Sequence, residues 1–380
     1  MPLPTNQPRR MDSSEAGAPT VNNTVGSLLE MLRCVFVTGF NPRSVTSIVV
    51  AAGVATATAA THGYTNGLGR LLLIEGAPEA GLNGLQQPIT VTTNTFTYAA
   101  PGIADGTYSG TITAKRAPLG WVEAHTGTNG AIFARTAPEA TSSMLKVLDS
   151  RASPAHVSYA QVTMVATATD FSTVTNEAPT TELTASMWGT GANDATVKPW
   201  EVLGDDLFAY LVLPSLSGGI GNLYCFGDPV LLYPGDAGGA MLVTHGSVPG
   251  AGAGSLGGLG GPAIINFSAT GTQNRIFFHR TLANTVAFVP ASVCGAVGWG
   301  DAGASGDVVI PVTSDYYFRT AAEIRAKLPG LYIPQGNNAF NAGEVYEFPG
   351  LNRKLLCVSF RRVAGGGAGQ LFLDMSAPWR

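Results

Sequence analysis

The sequence predicts a mainly β protein, made of β-sandwich or small-barrel modules with one or two short helices and an extended N-terminal arm. Three observations favour this fold class. Short runs rich in Thr, Val and Ala recur between clusters of Gly, Asn and Pro, as strands alternate with turns. Glycine, which favours turns and loops, occurs 48 times. Helical patterns are confined to two short segments.

The length of 380 residues exceeds that of a usual single domain, so we expect two or three units that each bury a core. Residues 1–24 are predicted to form the extended arm. Pro2, Pro4 and Pro8 favour an open backbone, and no run of apolar residues there could face a core. Arms of this kind commonly pack on a neighbouring subunit, and we expect the same here.

A short helix is expected directly after the arm. Leu28, Met31, Leu32 and Val35 recur at helical spacing and would share one face. The helix could be capped by any of three side chains, those of Asn23, Thr24 and Ser27. The second helical pattern covers residues 320–328 and is stopped by Pro329-Gly330.

Residues 45–117 are predicted to be a small β module inserted into a host domain. Gly63 and Gly67 permit a tight turn, and Asn83-Gly84 suits a type I′ hairpin. Phe96 and Tyr98 alternate with threonines, which places both rings on one face of a strand.

The host β domain is predicted to comprise residues 25–44 and 118–380. Its stretch 248–262 is half glycine and is expected to be a loop, either flexible or acting as a hinge or interface. Near the C-terminus two strand-like runs are separated by the glycine-rich residues 364–369. That arrangement predicts a hairpin.

Charge is scarce in this chain. Charged residues make up 12% of it and the formal net charge is −4, so a surface covered by partners, and hence a homo-oligomer, is favoured. A secreted β protein is the alternative. No block of Lys and Arg exceeds a doublet, which argues against nucleic-acid binding.

The N-terminus resembles neither a signal peptide nor a membrane anchor, and no apolar stretch is long enough to span a bilayer.

Cysteines and histidines show no metal-binding spacing. Cys34, Cys225, Cys294 and Cys357 each lie beside apolar residues and are expected to be free buried thiols, which suits folding in a reducing cytosol. The histidines are far apart along the chain, at His62, His125, His156, His245 and His279. The sequence therefore predicts neither a metal site nor a cofactor.

Four carboxylates are the candidates for acid–base chemistry, as in a glycoside hydrolase: Asp205, Asp206, Asp228 and Asp236. Aspartate at turns more commonly bonds to its own backbone, and the sequence contains no nucleophile or phosphate-binding motif. We therefore assign no catalytic residue and expect no enzyme.

Aromatic and basic residues interleave in residues 275–280 and 315–319. Core strands with solvated ends are the expectation, and a glycan-stacking or interface ridge is the alternative.

The predicted module resembles a small β module that recurs in bacteriophage tail, baseplate and fibre proteins. The marks that carry this resemblance are His62-Gly63-Tyr64, Ile74-Glu75-Gly76-Ala77, Leu82-Asn83-Gly84, Asn94-Thr95-Phe96-Thr97-Tyr98 and Gly110-Thr111-Ile112-Thr113.

The remainder resembles, less specifically, a family of phage virion proteins in which the early helix runs straight into the segment that here begins at Gly120-Trp121. The marks are Asp12-Ser13-Ser14, Ala16-Gly17-Ala18-Pro19, Gly26-Ser27-Leu28-Leu29, Trp200, Leu203-Gly204-Asp205-Asp206, Tyr210, Cys225-Phe226-Gly227-Asp228, Leu328-Pro329-Gly330-Leu331-Tyr332 and Ala377-Pro378-Trp379-Arg380.

The two resemblances imply a structural protein of the virion, in the tail or baseplate, made in the cytoplasm of the host bacterium. Its expected partners are copies of itself, as a trimer or hexameric ring, and other tail or baseplate proteins. A tail-tip or fibre protein that binds a receptor or host surface glycan is one alternative. A capsid decoration or head-fibre protein is the other.

Overall fold

The computed structural model describes residues 2–150, 159–178, 186–191, 195–214, 221–231, 238–245, 274–280, 292–294, 311–312, 317–319, 324–334, 340–348, 351–361, 368–376 and 378–380. Over these residues the protein is mainly β, as the sequence predicts. The strand pairs among the described residues are all antiparallel, and the strands form several sheets.

The N-terminal region contains strand β1 (Arg9–Asp12) and helix α1 (Ser27–Arg33), which continues into a π-helical turn over Cys34–Thr38. The predicted apolar helix face is confirmed, because all four of its members are buried: Leu28, Met31, Leu32 and Val35.

The predicted cap of α1 is wrong. Gly26 occupies the N-cap position, and no side chain caps the helix from there. Instead, a carboxylate oxygen of Asp149 accepts hydrogen bonds from the backbone N–H groups of Leu28 (3.0 Å) and Leu29 (3.4 Å). A negative charge at this end of a helix also interacts favourably with the helix dipole. The cap therefore comes from a distant part of the chain.

The next eight strands form two four-stranded sheets, in the orders β2-β9-β5-β6 and β7-β4-β3-β8. Ile48, Phe96 and Tyr98 are among the residues of a separate buried apolar cluster shared by the two sheets. The predicted alternation of Phe96 and Tyr98 is confirmed. The strands are β2 (Phe40–Val45), β3 (Ser47–Ala51), β4 (Val54–Thr58), β5 (Leu72–Glu75), β6 (Gly84–Gln86), β7 (Thr95–Ala99), β8 (Gly106–Tyr108) and β9 (Ile112–Arg116).

The type I′ hairpin predicted at Asn83-Gly84 is wrong. Asn83 has a φ of −85° and follows a 3₁₀ turn over Ala80–Leu82, whereas a type I′ turn needs a positive φ at both central residues. The Asn83 side chain closes the longer β5–β6 connection by bonding to both the N–H and the C=O of Ala77, at 2.8 Å each. The tight turn predicted at Gly63 and Gly67 does have positive φ at both glycines.

The chain leaves α1 and returns to it at neighbouring points. Phe40 at the start of β2 pairs with Arg116 at the end of β9. Beyond β9, the Leu119 N–H bonds to the carbonyl of Val35, and the Trp121 ring stacks on the Phe36 ring at 4.3 Å between centroids. This geometry suits an insertion, although β2 starts before the predicted boundary at residue 45. The domain division itself stays a prediction.

The main sheet has eleven strands, ordered β1-β17-β18-β19-β21-β16-β13-β12-β11-β10, with β22 beside β21. Its apolar residues and those of α1 form one core cluster. This part of the chain contains β10 (Val122–Gly127), β11 (Gly130–Ala134), β12 (Met144–Leu148), β13 (Tyr159–Val165), β14 (Thr167–Ala168), β15 (Val174–Thr175), β16 (Met187–Gly189), β17 (Glu201–Gly204), β18 (Phe208–Leu213), β19 (Asn222–Gly227), β20 (Val230–Leu231), β21 (Gly238–His245) and β22 (Asn274–Arg280).

Strands β14 and β15 form a two-stranded sheet, and β20 joins the remaining strands in two further sheets, β20-β26-β25-β23 and β24-β27-β30-β29-β28. β29 and β30 pair as an antiparallel hairpin, which confirms the prediction for the C-terminal runs. The strands are β23 (Ser292–Cys294), β24 (Pro311–Val312), β25 (Tyr317–Arg319), β26 (Ile324–Lys327), β27 (Leu331–Pro334), β28 (Val345–Glu347), β29 (Lys354–Arg361) and β30 (Ala368–Asp374).

The helix predicted over residues 320–328 is wrong where the structure describes this segment, because Ile324–Lys327 is strand β26. It pairs with β25 on one side and with β20 on the other. Pairing on both edges overrides the local helical preference. Residues 275–280 lie on strand β22 and residues 317–319 on strand β25. The side chains of these residues, residues 315–316 and the glycine-rich stretch 248–262 are outside the described residues.

The expectation that residues 1–24 lack core residues is wrong, whereas their packing on a neighbouring subunit stays a prediction. β1 pairs with β17 of its own chain, and Met11 and Val21 are completely buried in the main core. Leu3 bridges to Leu85 of the unit formed by the two four-stranded sheets, strands β2 to β9 over residues 40–116, which we call the two-sheet unit. The segment combines strand β1 with several turns and belongs to the fold.

We therefore expect Met11→Ala to lower the free energy of unfolding by about 2–5 kcal/mol, because a buried side chain is replaced by a cavity. Urea unfolding followed by circular dichroism would measure the change. Thr5→Ala, at an exposed position of the same segment, is the control and should shift stability by no more than about 0.5 kcal/mol. Equal stability of the two variants would show that the segment is not part of the core.

Candidate functional site

Three of the four carboxylates singled out in the sequence lie at neighbouring strand ends. Asp205 and Asp206 form the turn between β17 and β18, and Asp228 follows β19. Their exposed fractions are 0%, 5% and 7%. Asp205 shapes the turn, because its carboxylate accepts hydrogen bonds from the N–H groups of Leu207 (2.9 Å) and Phe208 (2.7 Å). Asp236 lies outside the described residues.

Three arginines from distant parts of the chain surround these carboxylates. Arg135, at the end of β11, makes an ion pair with Asp228 at 3.0 Å, and its guanidinium lies over the Phe226 ring. Arg380 approaches Asp205 at 3.7 Å and donates a 2.9 Å hydrogen bond to the carbonyl of Asp228. Arg9, the first residue of β1, donates a 2.7 Å bond to the Leu119 carbonyl. The six residues are called the ionic cluster below: Arg9, Arg135, Asp205, Asp206, Asp228 and Arg380.

Burial dominates the electrostatics of the ionic cluster. Burial lowers the pKa of Arg9 to about 10, against the opposing influence of Asp206 and Asp205. Burial also lowers the pKa of Arg135, opposed by Asp228, and raises the pKa of Asp205, opposed by Arg380. With three cationic and three anionic side chains the cluster is formally neutral, as buried charges require.

A carboxylate that acts as an acid, base or nucleophile must reach a substrate. Asp205 is fully buried and bonded to backbone N–H groups, while Asp228 is held by Arg135 and by Thr141, whose N–H and hydroxyl bond to it at 2.8 and 2.7 Å. These contacts suit carboxylates that hold strand ends together.

The segments that carry the resemblance to virion proteins meet around this cluster. The hydroxyl of Tyr210 donates a 2.8 Å bond to the Pro329 carbonyl. The Trp379 ring packs on Tyr210 at 5.7 Å between centroids and lies against Gly330, where any Cβ would collide with the indole. Sequence reasoning found these segments but missed Arg9 and Arg135, since nothing in the sequence distinguishes them from the other basic residues.

A second group of ion pairs joins the N-terminal segment to the two-sheet unit and to the main sheet. Arg70 contacts Asp12 at 2.5 Å and Glu15 at 2.8 Å, and Arg116 also contacts Glu15. On the other side Arg10 contacts Glu201 of β17 at 2.7 Å. We call this group the ionic joint: Arg10, Asp12, Glu15, Arg70, Arg116 and Glu201. Part of it lines a cavity of about 360 Å³.

His62, in the two-sheet unit, is completely buried and bonded at both ring nitrogens. Its Nδ1 accepts a 2.9 Å bond from the Tyr64 N–H, and its Nε2 lies 3.3 Å from the Thr95 carbonyl. The first contact requires an unprotonated Nδ1, so the ring is neutral. Burial lowers the pKa of His62; the Thr95 bond opposes this effect, and the charge of Arg43 adds to it.

The cysteine prediction is confirmed for two residues. Cys225 and Cys357 are free and buried, whereas Cys34 is free but only half-buried, and the side chain of Cys294 is outside the description. Burial raises the pKa of Cys357 to about 12.

Of the other histidines, His125 lies near the Ala168 carbonyl at 3.2 Å, while His156 and the side chains of His245 and His279 are outside the described residues.

In the part of the chain that the structure describes, no group of three or more His, Cys, Asp or Glu residues could hold a metal ion. Nor does any helix among those residues have the length and apolar character needed to cross a membrane. No known protein family matches the chain, and no match was found among curated proteins.

We expect Asp228→Asn to lower the free energy of unfolding by about 3–5 kcal/mol, because the fully buried guanidinium of Arg135 loses its counter-charge. Urea unfolding would measure the loss. Glu347→Gln is the matched control. It breaks an exposed pair with Lys354, with side chains 71% and 55% exposed, and should cost no more than about 1 kcal/mol. Similar costs for both variants would contradict the structural role of the cluster.

The lowered pKa of His62 predicts a pH dependence of stability. The unfolded chain takes up the proton near pH 6.5 and the folded chain only at lower pH. The stabilising contribution is therefore complete above about pH 6.5 and is lost as the pH falls towards the folded pKa. Urea unfolding at several pH values should show this loss in the wild type and in His125→Gln but not in His62→Gln. An unchanged slope in His62→Gln would assign the dependence to another group.

Proposed function

We propose that this protein is a structural component of a bacteriophage virion, in the tail or baseplate, and that it acts by assembling with copies of itself and with other tail proteins. The proposal includes no catalytic activity. It places the protein in the virion after synthesis in the bacterial cytoplasm.

The observation that carries this proposal is the convergence around the ionic cluster of segments far apart in the chain. The marks that resemble virion proteins, around Asp205, Asp228, Gly330 and Trp379, contact one another. Residues that meet in this way define a fold and its packing. The resemblance therefore concerns a structural framework, which supports a structural role.

The outer face of the sheet β7-β4-β3-β8 supports assembly. It carries no ionisable side chain among its exposed and half-exposed members, which are Ser47, Val49, Ala51, Val54, Thr56, Thr58, Thr95, Thr97, Ala99 and Thr107. A partner can cover such a face without removing water from charged groups, a step that costs free energy.

The glycan-binding alternative gains less support from the two-sheet unit. Sugar rings commonly stack on exposed aromatic side chains, but the rings of Tyr64, Phe96 and Tyr98 are buried there and that of Tyr108 is partly buried. A tail-tip role would need another surface.

Electron microscopy of phage particles labelled with a gold-conjugated antibody to this chain tests the proposal. We expect the gold label at the tail or baseplate. Label on the head would favour the decoration alternative, and label at fibre tips the receptor-binding one. Light scattering of the purified chain should give a mass well above 39.1 kDa, either alone or after mixing with purified tail proteins. A monomer that joins no tail protein, together with unlabelled particles, would refute the proposal.

A further inference from the structure

Five buried polar atoms of the ionic cluster have no hydrogen-bond partner among the residues that the structure describes. They are Nε of Arg9, Nε and Nη1 of Arg135, Oδ2 of Asp205 and Oδ1 of Asp206. The side chain of Arg135 is fully buried, and so is Asp205. Buried polar atoms in folded proteins almost always bond to another protein group or to ordered solvent. Five such atoms in one cluster therefore indicate a bound species.

The charges of the cluster limit what that species can be. The unpartnered atoms comprise three N–H donors and two carboxylate oxygens, among formally balanced charges. An anion would satisfy the donors but would be repelled by Asp205 and Asp206. A cation would be repelled by Arg9 and Arg135. A neutral molecule that both donates and accepts hydrogen bonds fits both sets, and water is the smallest one.

The spacing of the charged groups also favours water. Arg9 interacts electrostatically with Asp206 and Asp205, yet no direct hydrogen bond joins it to either carboxylate. Charged groups that are near but not in contact are commonly bridged by a water molecule. A cavity of about 240 Å³, lined in part by Asp228, Leu207 and Arg380, borders the cluster. Since a water molecule occupies roughly 30 Å³, this cavity is large enough to supply solvent to the cluster.

We propose that the ionic cluster contains an internal hydration site, in which ordered water bridges Nε of Arg9 to the unpartnered oxygens of Asp205 and Asp206. Because a buried water makes about three hydrogen bonds, one water would satisfy these three atoms. It links Arg9 to the β17–β18 turn. The proposal does not depend on the role of the protein in the virion.

A crystal structure of the full chain, at a resolution that shows ordered water, tests the site. We expect water within hydrogen-bond distance of Nε of Arg9 and of Oδ1 of Asp206. Crystals grown or soaked in bromide and in rubidium salts provide the control, because both ions scatter anomalously. An anomalous peak in the cluster would overturn the proposal in favour of an ion site. Direct pairing of Arg9 with Asp206, without solvent between them, would also overturn it.

A variant provides a second test. Arg9→Met keeps much of the side-chain length but has no Nε, so the water peak next to position 9 should be lost. Arg353→Met, at a side chain that is largely exposed, should leave that peak in place. Retention of the peak in Arg9→Met would show that Arg9 does not bind the water and would refute this bridge. If Arg9→Met does not fold, the wild-type crystals still decide the proposal.

Discussion

Charge neutralisation in the interior is the constraint on which the rest of this structure depends. The turn between β17 and β18 buries Asp205 and Asp206, and the end of β19 buries Asp228. A buried carboxylate without a nearby cation strongly destabilises the folded state. In the described structure these cations are provided only by Arg9, Arg135 and Arg380. The position of β1 beside β17, and the position of residues 378–380 against Tyr210 and Gly330, are therefore linked to the same set of charges.

The same logic governs how the two-sheet unit is held on the main sheet. Its own apolar cluster is separate from the main core, which Phe40 of β2 and Leu68 join. The ionic joint adds a polar link, because Asp12 and Glu15 contact Arg70 and Arg116 while the neighbouring Arg10 contacts Glu201. Ion pairs of this kind are directional, so they specify orientation more effectively than they add stability.

The sequence predicted the features that depend on local patterns. The β class, the apolar face of α1 and the alternation of Phe96 and Tyr98 follow from periodicity, which packing preserves. Two of the failures come from contacts between residues distant in sequence, because Asp149 caps α1 and β20 pairs with residues 324–327. The third is local, because the bonds of Asn83 to Ala77, six residues earlier, replace a tight turn. The candidate site was found in part: the aspartates stood out as pairs at turns, but no local pattern identifies Arg9 or Arg135 as their partners.

The sequence separation of the contacting residues also predicts the order in which parts of the chain fold. Strands β2 to β9 pair among themselves over a short stretch of sequence, so the two-sheet unit closes with modest loss of chain entropy. The pairing of β1 with β17 and the contact of Arg380 with Asp205 join residues separated by most of the chain. We expect such contacts to form late, after the sheet that carries the carboxylates exists. Until then Asp205, Asp206 and Asp228 would lie at incomplete, water-accessible strand ends. The native interior thus becomes favourable only when Arg9, Arg135 and Arg380 are all in place, which couples both ends of the described chain to a single cooperative core.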